Sequence, residues 1–446
     1  MPHPIQIKAT EKLAIKTVLL SLVIGTLVGF VGIFFEMATS WVFGQRSVWV
    51  GQWFSNTYAV IAATFTVSAL LAGASYYIVK RFAPETGGSG IPEIEASMQD
   101  LRPVRWWRVI PVKFLGGVGS LGSGMVLGRE GPTVQLGANI GQMVADVGRV
   151  KDRETRHTLL AAGSAAGLTT AFNAPLAGIL FVIEEMRSEF NYNLISVKAV
   201  FVGAVMATIA CRMVSGQSPI LLLGSYDMSA QSTLWLYLVL GLLFGVIGIG
   251  FNKFLLWLQQ KFLDFYQGSM LRFVLTGAFI GGCCGLFGLY LPQAVGGGFD
   301  VVHQVSAGQI GLGLLMLVFV LRFLTSTISF SSGAAGGIFS PLLALGASFG
   351  GIFGYVADMM FPESQLQMGS FVIAGMGALF AATVRAPLTG TVLVLEMTAS
   401  YTLLLPMIIT CLGATIVAQW LGGRPLYTVL MEKILERNGI PYERKE

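Results

Sequence analysis

Residues 128 to 132 read Gly128-Arg129-Glu130-Gly131-Pro132 and lie between long apolar runs in a chain with only 11% charged residues. At a helix start four backbone N–H groups lack partners, and the macrodipole leaves roughly half a positive charge there. An anion can be held at such a point without a formal cation. Glycine leaves the amides open, and proline suits a first helical turn because its missing N–H would be an orphan anyway. Two further stretches carry the same signature: Gly88-Ser89-Gly90-Ile91-Pro92 and Gly336-Gly337-Ile338-Phe339-Ser340-Pro341. Singly, each reads as an ordinary helix boundary. Three together in an apolar chain predict helix starts aimed at one dehydrated anion site, whose partial charges also permit release. In that setting Glu130 is itself an anion tethered beside an anion site. Its carboxylate can take the ion's place, and protonation would let it swing away; the competing reading is a structural pair with Arg129 or a stabilised helix start.

The elements that must position these residues are membrane elements. The 446 residues are 54% hydrophobic and contain 56 glycines, a composition for a bilayer with closely packed or broken helices. Candidate spans of the required length of about 20 residues run over 13–36, 57–79, 159–186, 194–222, 233–258, 272–292, 311–330, 342–360, 370–397 and 401–421. Basic clusters at Lys80-Arg81, from Arg102 to Lys113, from Arg149 to Arg156 and in the C-terminal tail mark cytoplasmic loops, which places both termini in the cytoplasm. The last 25 residues offer one amphipathic helix, with no room for a C-terminal regulatory domain, and no signal peptide is read at the N-terminus. The net charge of +5 comes without basic runs interleaved with aromatics, which argues against nucleic acid. Cys211, Cys283, Cys284 and Cys411 lie in apolar sequence without a CxxC pair, so neither a disulfide nor a metal is expected. His157 and His303 lack metal spacing, Glu95 is expected to play a structural role such as pairing with Arg129, and Val295 to Phe299 resembles a phosphate loop only superficially.

An internal repeat organises the chain. Residues 171–186, AFNAPLAGILFVIEEM, and 383–398, TVRAPLTGTVLVLEMT, match at an offset of 212, and 131–141 matches 340–350 at an offset of 209. The halves are expected at about 13–222 and 233–430, followed by a cytoplasmic tail at 431–446. Interrupted hydrophobic segments at matching places fit inverted-topology repeats with a site at the bilayer midplane; a plain duplication is the alternative. Aligning Pro132 with Pro341 puts Glu130 opposite Phe339 and Arg129 opposite Ile338, while Glu184 falls opposite Glu396 and Glu185 opposite Met397. An acid kept in both halves suits the scaffold, whereas one that breaks the symmetry suits chemistry.

The segments GSGIPE at 88–93, GREGPTVQ at 128–135, GGIFSP at 336–341 and PLY at 425–427 resemble, in order, the signature segments of the CLC family of chloride channels and chloride/proton exchangers. The similarity runs from about residue 15 to 430 and is closest to the bacterial exchangers. The resemblance implies an all-α integral membrane protein of tilted, partly spanning helices in two inverted repeats. It implies a homodimer in the bacterial inner membrane with one pathway per subunit, carrying chloride and protons and requiring no cofactor. It further implies that the Ser89 and Tyr427 hydroxyls and the Ile338 and Phe339 amides bind chloride, that Glu130 is the gate and external proton acceptor, and that Glu185 is the internal proton-transfer residue. Without it, Ser89 reads as an N-cap, Tyr427 as an interfacial aromatic, and Glu184-Glu185 as a solvated helix end. Ala335 and Ser340 depart from the commonest pattern, which has proline and alanine there.

Acids at both 130 and 185 favour a chloride/proton antiporter over a passive chloride channel of the same family, which generally lacks the second. An intramembrane enzyme would need a paired nucleophile and base, and the histidines and aspartates are poorly placed for that.

Overall fold

The computed structural model describes residues 4–53, 56–186, 192–224, 226 and 231–442. The basic tail residues Arg444 and Lys445, part of the expected cytoplasmic tail, lie outside the described residues. The first half contains α1 (Pro4–Trp53), α2 (Thr57–Phe82), α3 (Ile91–Met98), α4 (Trp106–Gly122), α5 (Glu130–Val147), α6 (Arg153–Phe172), α7 (Pro175–Glu184) and α8 (Leu194–Ser215). The second repeats the order with α9 (Leu234–Tyr266), α10 (Met270–Tyr290), α11 (Phe299–Ser306), α12 (Leu312–Ser331), α13 (Phe339–Met360), α14 (Met368–Val384), α15 (Pro387–Thr398) and α16 (Leu404–Trp420). A last helix, α17 (Leu426–Arg437), has no counterpart among the described residues and crosses the expected boundary at 431 between the second half and the tail.

Eight of these helices are long and apolar enough to cross a membrane: α1, α2, α8, α9, α10, α12, α13 and α16. Three expected spans are corrected. The run 159–186 is broken into α6 and α7 at Asn173, which takes a left-handed conformation with φ +48°, and Pro175 then opens α7. The run 370–397 breaks in the same way at Arg385, φ +74°, with Pro387 opening α15. A left-handed residue ends a helix and a proline at the first position restarts one, so hydropathy continues where the backbone turns. The expected span 194–222 also stops early, at Ser215.

Side chains set other helix starts. Asn193 accepts the Ser196 N–H at 2.8 Å and Asp152 that of Thr155 at 2.8 Å, each satisfying an orphan donor. Close helix contacts depend on glycine. A Cβ on Gly137 would lie 2.2 Å from the Gly163 carbonyl oxygen, which locks α5 against α6; the counterpart pair Gly346 and Gly375, also 2.2 Å, joins α13 to α14.

The two halves meet as a two-fold-related pair. Gly128 and Gly337, equivalent in the repeat, form an antiparallel bridge in which each N–H donates to the other's carbonyl, at 2.8 and 2.6 Å. The equivalent helices α2 and α10 pack on each other, as do α7 and α15. Such self-complementary contacts are what a two-fold relation between copies generates. The molecule is thus an all-α membrane fold of two inverted-topology halves, with broken helices meeting at its centre.

Candidate functional site

The site is built where three helix starts converge. Gly88 and Gly90 adopt φ +67° and +89°, turning the chain so that α3 begins at Ile91 with Pro92 next. A side chain on Gly90 would meet the Gln135 amide oxygen at 2.3 Å, so the position has neither the conformation nor the room for one. The buried Lys113 ammonium donates to the Thr86 carbonyl at 2.9 Å and to the Gly88 carbonyl at 2.7 Å, holding the loop that carries Ser89. The Gly88 N–H donates across to the Ala334 carbonyl at 2.9 Å, tying that loop to the other half.

The Gly128–Gly337 bridge then sets the starts of α5, at Glu130, and α13, at Phe339, against each other. A Cβ added to Gly131 would fall 2.3 Å from Ser89 Oγ, and one added to Gly337 would fall 3.0 Å from the Gly131 nitrogen. Gly131 therefore touches both Ser89 and Gly337, which brings the three starts together. Pro132 and Pro341 lie in the first turns of their helices.

Tyr427 enters from α17 and is fully buried. Its ring lies 6.0 Å from that of Phe339, which also touches Phe380 at 4.6 Å, Phe181 at 5.9 Å and Phe172 at 6.0 Å, a dry aromatic collar. The Tyr427 hydroxyl lies near that of Ser89 and within electrostatic reach of Glu185, Glu130 and Glu95. Ser89 Oγ and Tyr427 Oη are neighbours, and neither makes a hydrogen bond of good geometry to any other group among the described residues. Two buried hydroxyls, one on a ring packed against Phe339 and one beside Gly131, offer uncharged donors of the kind that suit a small monovalent anion.

Glu130 is completely buried. Its carboxyl folds back against Gly128 and spans to the other half, where Oε2 accepts the Ser340 N–H at 3.3 Å and Oε1 accepts the Ser340 hydroxyl. A cavity of about 240 Å³, lined among others by Thr39, Arg129, Glu130, Gly297, Asp300 and Ser340, opens beside it. Arg129 does not pair with Glu130 or with Glu95: its guanidinium binds Glu36 at 2.5 Å. Glu185 caps the end of α7, half-buried, with its N–H donating to Phe181 at 2.9 Å. His157, solitary in the sequence, meets Asp100 at 3.0 Å, and no metal-binding cluster occurs among the described residues.

Sequence reasoning missed two features. Ser340 reads there only as a departure from alanine, yet it contacts the Glu130 carboxyl. The stretch Val295 to Phe299 is the second-half copy of Gly87 to Ile91: Gly296 and Gly298 take φ +66° and +96°, like Gly88 and Gly90. Arg322 clamps it as Lys113 clamps the first, donating to the carbonyls of Gln293 at 2.7 Å, Val295 at 3.1 Å and Gly296 at 2.9 Å. Glycine at 297 stands where the first copy has Ser89, so one loop alone carries the hydroxyl.

Inverted halves, broken helices and buried uncharged donors at their meeting point define a membrane protein with a central anion site. The chain belongs to the voltage gated chloride channel family, whose model matches residues 69–419. It is 55% identical over 427 residues to the H(+)/Cl(-) exchange transporter ClcA of Salmonella arizonae, covering 96% of this chain and 90% of that protein. The crystal structure of a slow cyanobacterial Cl-/H+ antiporter superposes with a TM-score of 0.90 at 39% identity, covering 95% of this chain and 99% of that one. A eukaryotic CLC transporter, 23% identical with a TM-score of 0.78 over 93% of this chain and 74% of that one, shares the fold.

Proposed function

We propose that this protein is a secondary-active antiporter that exchanges chloride for protons. The observation that carries the reading is the place of the Glu130 carboxyl. It bridges the starts of α5 and α13, beside the donors an anion would use. A charged carboxylate there competes with chloride. A proton arriving from the outer side removes that charge, the side chain leaves, and chloride enters the site. Chloride would be held by the hydroxyls of Ser89 and Tyr427 and the amides of Ile338 and Phe339, all donors without full charge, so that release stays fast. Glu185 passes protons between the cytoplasm and Glu130. An acid at 185 supports antiport over a passive channel.

The relatives are transporters, and this chain is read as one, not as an enzyme and without a resident cofactor. It acts as a homodimer with one pathway per subunit in the bacterial inner membrane, both termini cytoplasmic. The test is flux from proteoliposomes. An outward chloride gradient drives protons uphill in the wild type, Glu185→Gln abolishes proton movement while chloride still flows, and Glu130→Ala uncouples the two. Chloride flux without proton movement in the wild type would establish a channel instead.

A further inference from the structure

Ser340 is the second residue of α13, 2% exposed, and both its polar groups face one carboxyl. Its N–H reaches Glu130 Oε2 at 3.3 Å, long for a hydrogen bond to an ionised acceptor, which prefers about 2.7–2.9 Å. The hydroxyl takes the other oxygen, Oε1. The backbone thus grips the carboxylate loosely, and the side chain completes a two-point hold. The repeat isolates the feature. Position 340 is equivalent to 131, where Gly131 packs on Ser89 and has no room for a side chain. The hydroxyl has therefore no twin, and it sits opposite the acid that also has no twin.

We propose that Ser340 is a latch for Glu130, a positioning residue whose hydroxyl strengthens the carboxylate as a competitor for the anion site. This rests on the reading of Glu130 as the gate. The chloride donors, Ser89, Tyr427 and the amides of Ile338 and Phe339, do not include the Ser340 hydroxyl. Removing the hydroxyl weakens the competitor and leaves the ion's own donors in place. Chloride then binds more tightly wherever Glu130 is charged.

The experiment is calorimetric titration of the detergent-solubilised full chain with chloride at pH 7.5, in a double-mutant cycle of Ser340→Ala with Glu130→Gln. Ser340→Ala removes only the hydroxyl oxygen and is expected to fold. A gain in chloride affinity on the order of ten-fold follows from losing a hydrogen bond to a charged group. In the Glu130→Gln background the same change has no effect, because no charged competitor is left to hold. Ser340→Thr, which keeps a hydroxyl, stays closer to the wild type than to Ser340→Ala. An unchanged affinity in Ser340→Ala, with Glu130→Gln still tightening chloride, overturns the latch and spares the gate. An effect of equal size in both backgrounds overturns it too, since the hydroxyl would then act on the ion directly. If Glu130→Gln itself leaves chloride binding unmoved, the gate reading falls and the latch with it.

Discussion

Glu184 and Glu396 hold equivalent places in the two halves, and each caps a helix of the other half. The Glu184 carboxylate accepts the N–H groups of Leu388 at 3.1 Å and Thr389 at 2.8 Å, at the start of α15, and the Thr389 hydroxyl at 2.8 Å. Glu396 accepts those of Leu176 at 3.2 Å and Ala177 at 2.8 Å, at the start of α7. Each acid neutralises the positive end of the helix it meets, and together they clasp the halves across the two-fold relation. Glu185, whose counterpart is Met397, takes no share in this clasp.

Adjacent glutamates should therefore fail in different ways. Glu184→Gln keeps a single carbonyl acceptor and loses the charge, which costs about 1.5–3 kcal/mol for hydrogen bonds to a charged group. Thermal unfolding in detergent should show the lower transition, while the ratio of protons to chloride in liposome flux stays that of the wild type. Glu185→Gln should instead lose proton movement while chloride still flows. Loss of coupling in Glu184→Gln without loss of stability would remove it from the scaffold.

Gly131 should be intolerant of the smallest side chain. The Cβ of Gly131→Ala would stand 2.3 Å from Ser89 Oγ and 2.9 Å from the Ser89 carbonyl oxygen. Part of that contact is backbone, so Ser89 cannot simply rotate away. Displacing a binding group by about 1 Å lowers its effect on the order of a hundred-fold in demanding sites. Chloride titration should register a weaker site of at least that direction, with helical content retained by circular dichroism. Wild-type affinity in this variant would show that Ser89 does not contact the ion.

The sequence disclosed the repeat wherever side chains repeat, as in Ala-Pro-Leu at 174–176 and 386–388. It hid the repeat where only backbone conformation is shared. Gly88 and Gly90 correspond to Gly296 and Gly298 through positive φ, but the glycines around them, with Ser89 facing Gly297, give no ready alignment. Hydropathy averaged over a window also ran through Asn173 and Arg385, because a left-handed residue changes direction without changing polarity. The punctuation was present in the prolines that follow each break. Glu130 was legible as a buried acid at a helix start, but its partner Ser340 was not, since 210 residues separate them and only the meeting of the halves brings them together.

The start of α6 supplies a pH prediction away from the membrane interior. Asp152 caps this helix, and hydrogen bonds from the Thr155 hydroxyl and N–H hold its carboxyl below the usual range. A depressed carboxyl stabilises the fold above its unfolded pKa, and the contribution is lost as pH falls through the folded value. Asp152→Ala should cost about 1 kcal/mol at neutral pH, the ordinary worth of a cap. The difference from wild type should shrink on acidification below the unfolded carboxylate range, read by denaturant unfolding at a series of pH values. A difference that persists undiminished in acid would mean that the charge of the cap is immaterial.

Lys113 and Arg322 set the last contrast, because they are the same clamp on two loops of unequal content. Lys113 holds the carbonyls of Thr86 and Gly88, next to Ser89, and Arg322 holds those of Gln293, Val295 and Gly296, next to Gly297. Both cations are fully buried. Replacing either with methionine leaves buried carbonyl groups unpaired at about 1–3 kcal/mol apiece, so both variants should unfold at lower temperature. Only Lys113→Met should also weaken chloride binding, because only its loop carries a hydroxyl donor to the ion, and freeing Gly88 lets Ser89 drift from the starts of α5 and α13. Arg322→Met loosens a loop on the cavity side of Glu130 that contributes no such donor. Chloride affinities measured by calorimetry on both variants, below their unfolding transitions, separate the two effects. Equal losses would make the clamps purely structural and would detach Ser89 from the anion, whereas a loss confined to Lys113→Met ties the conformation of Gly88 and Gly90 directly to the site.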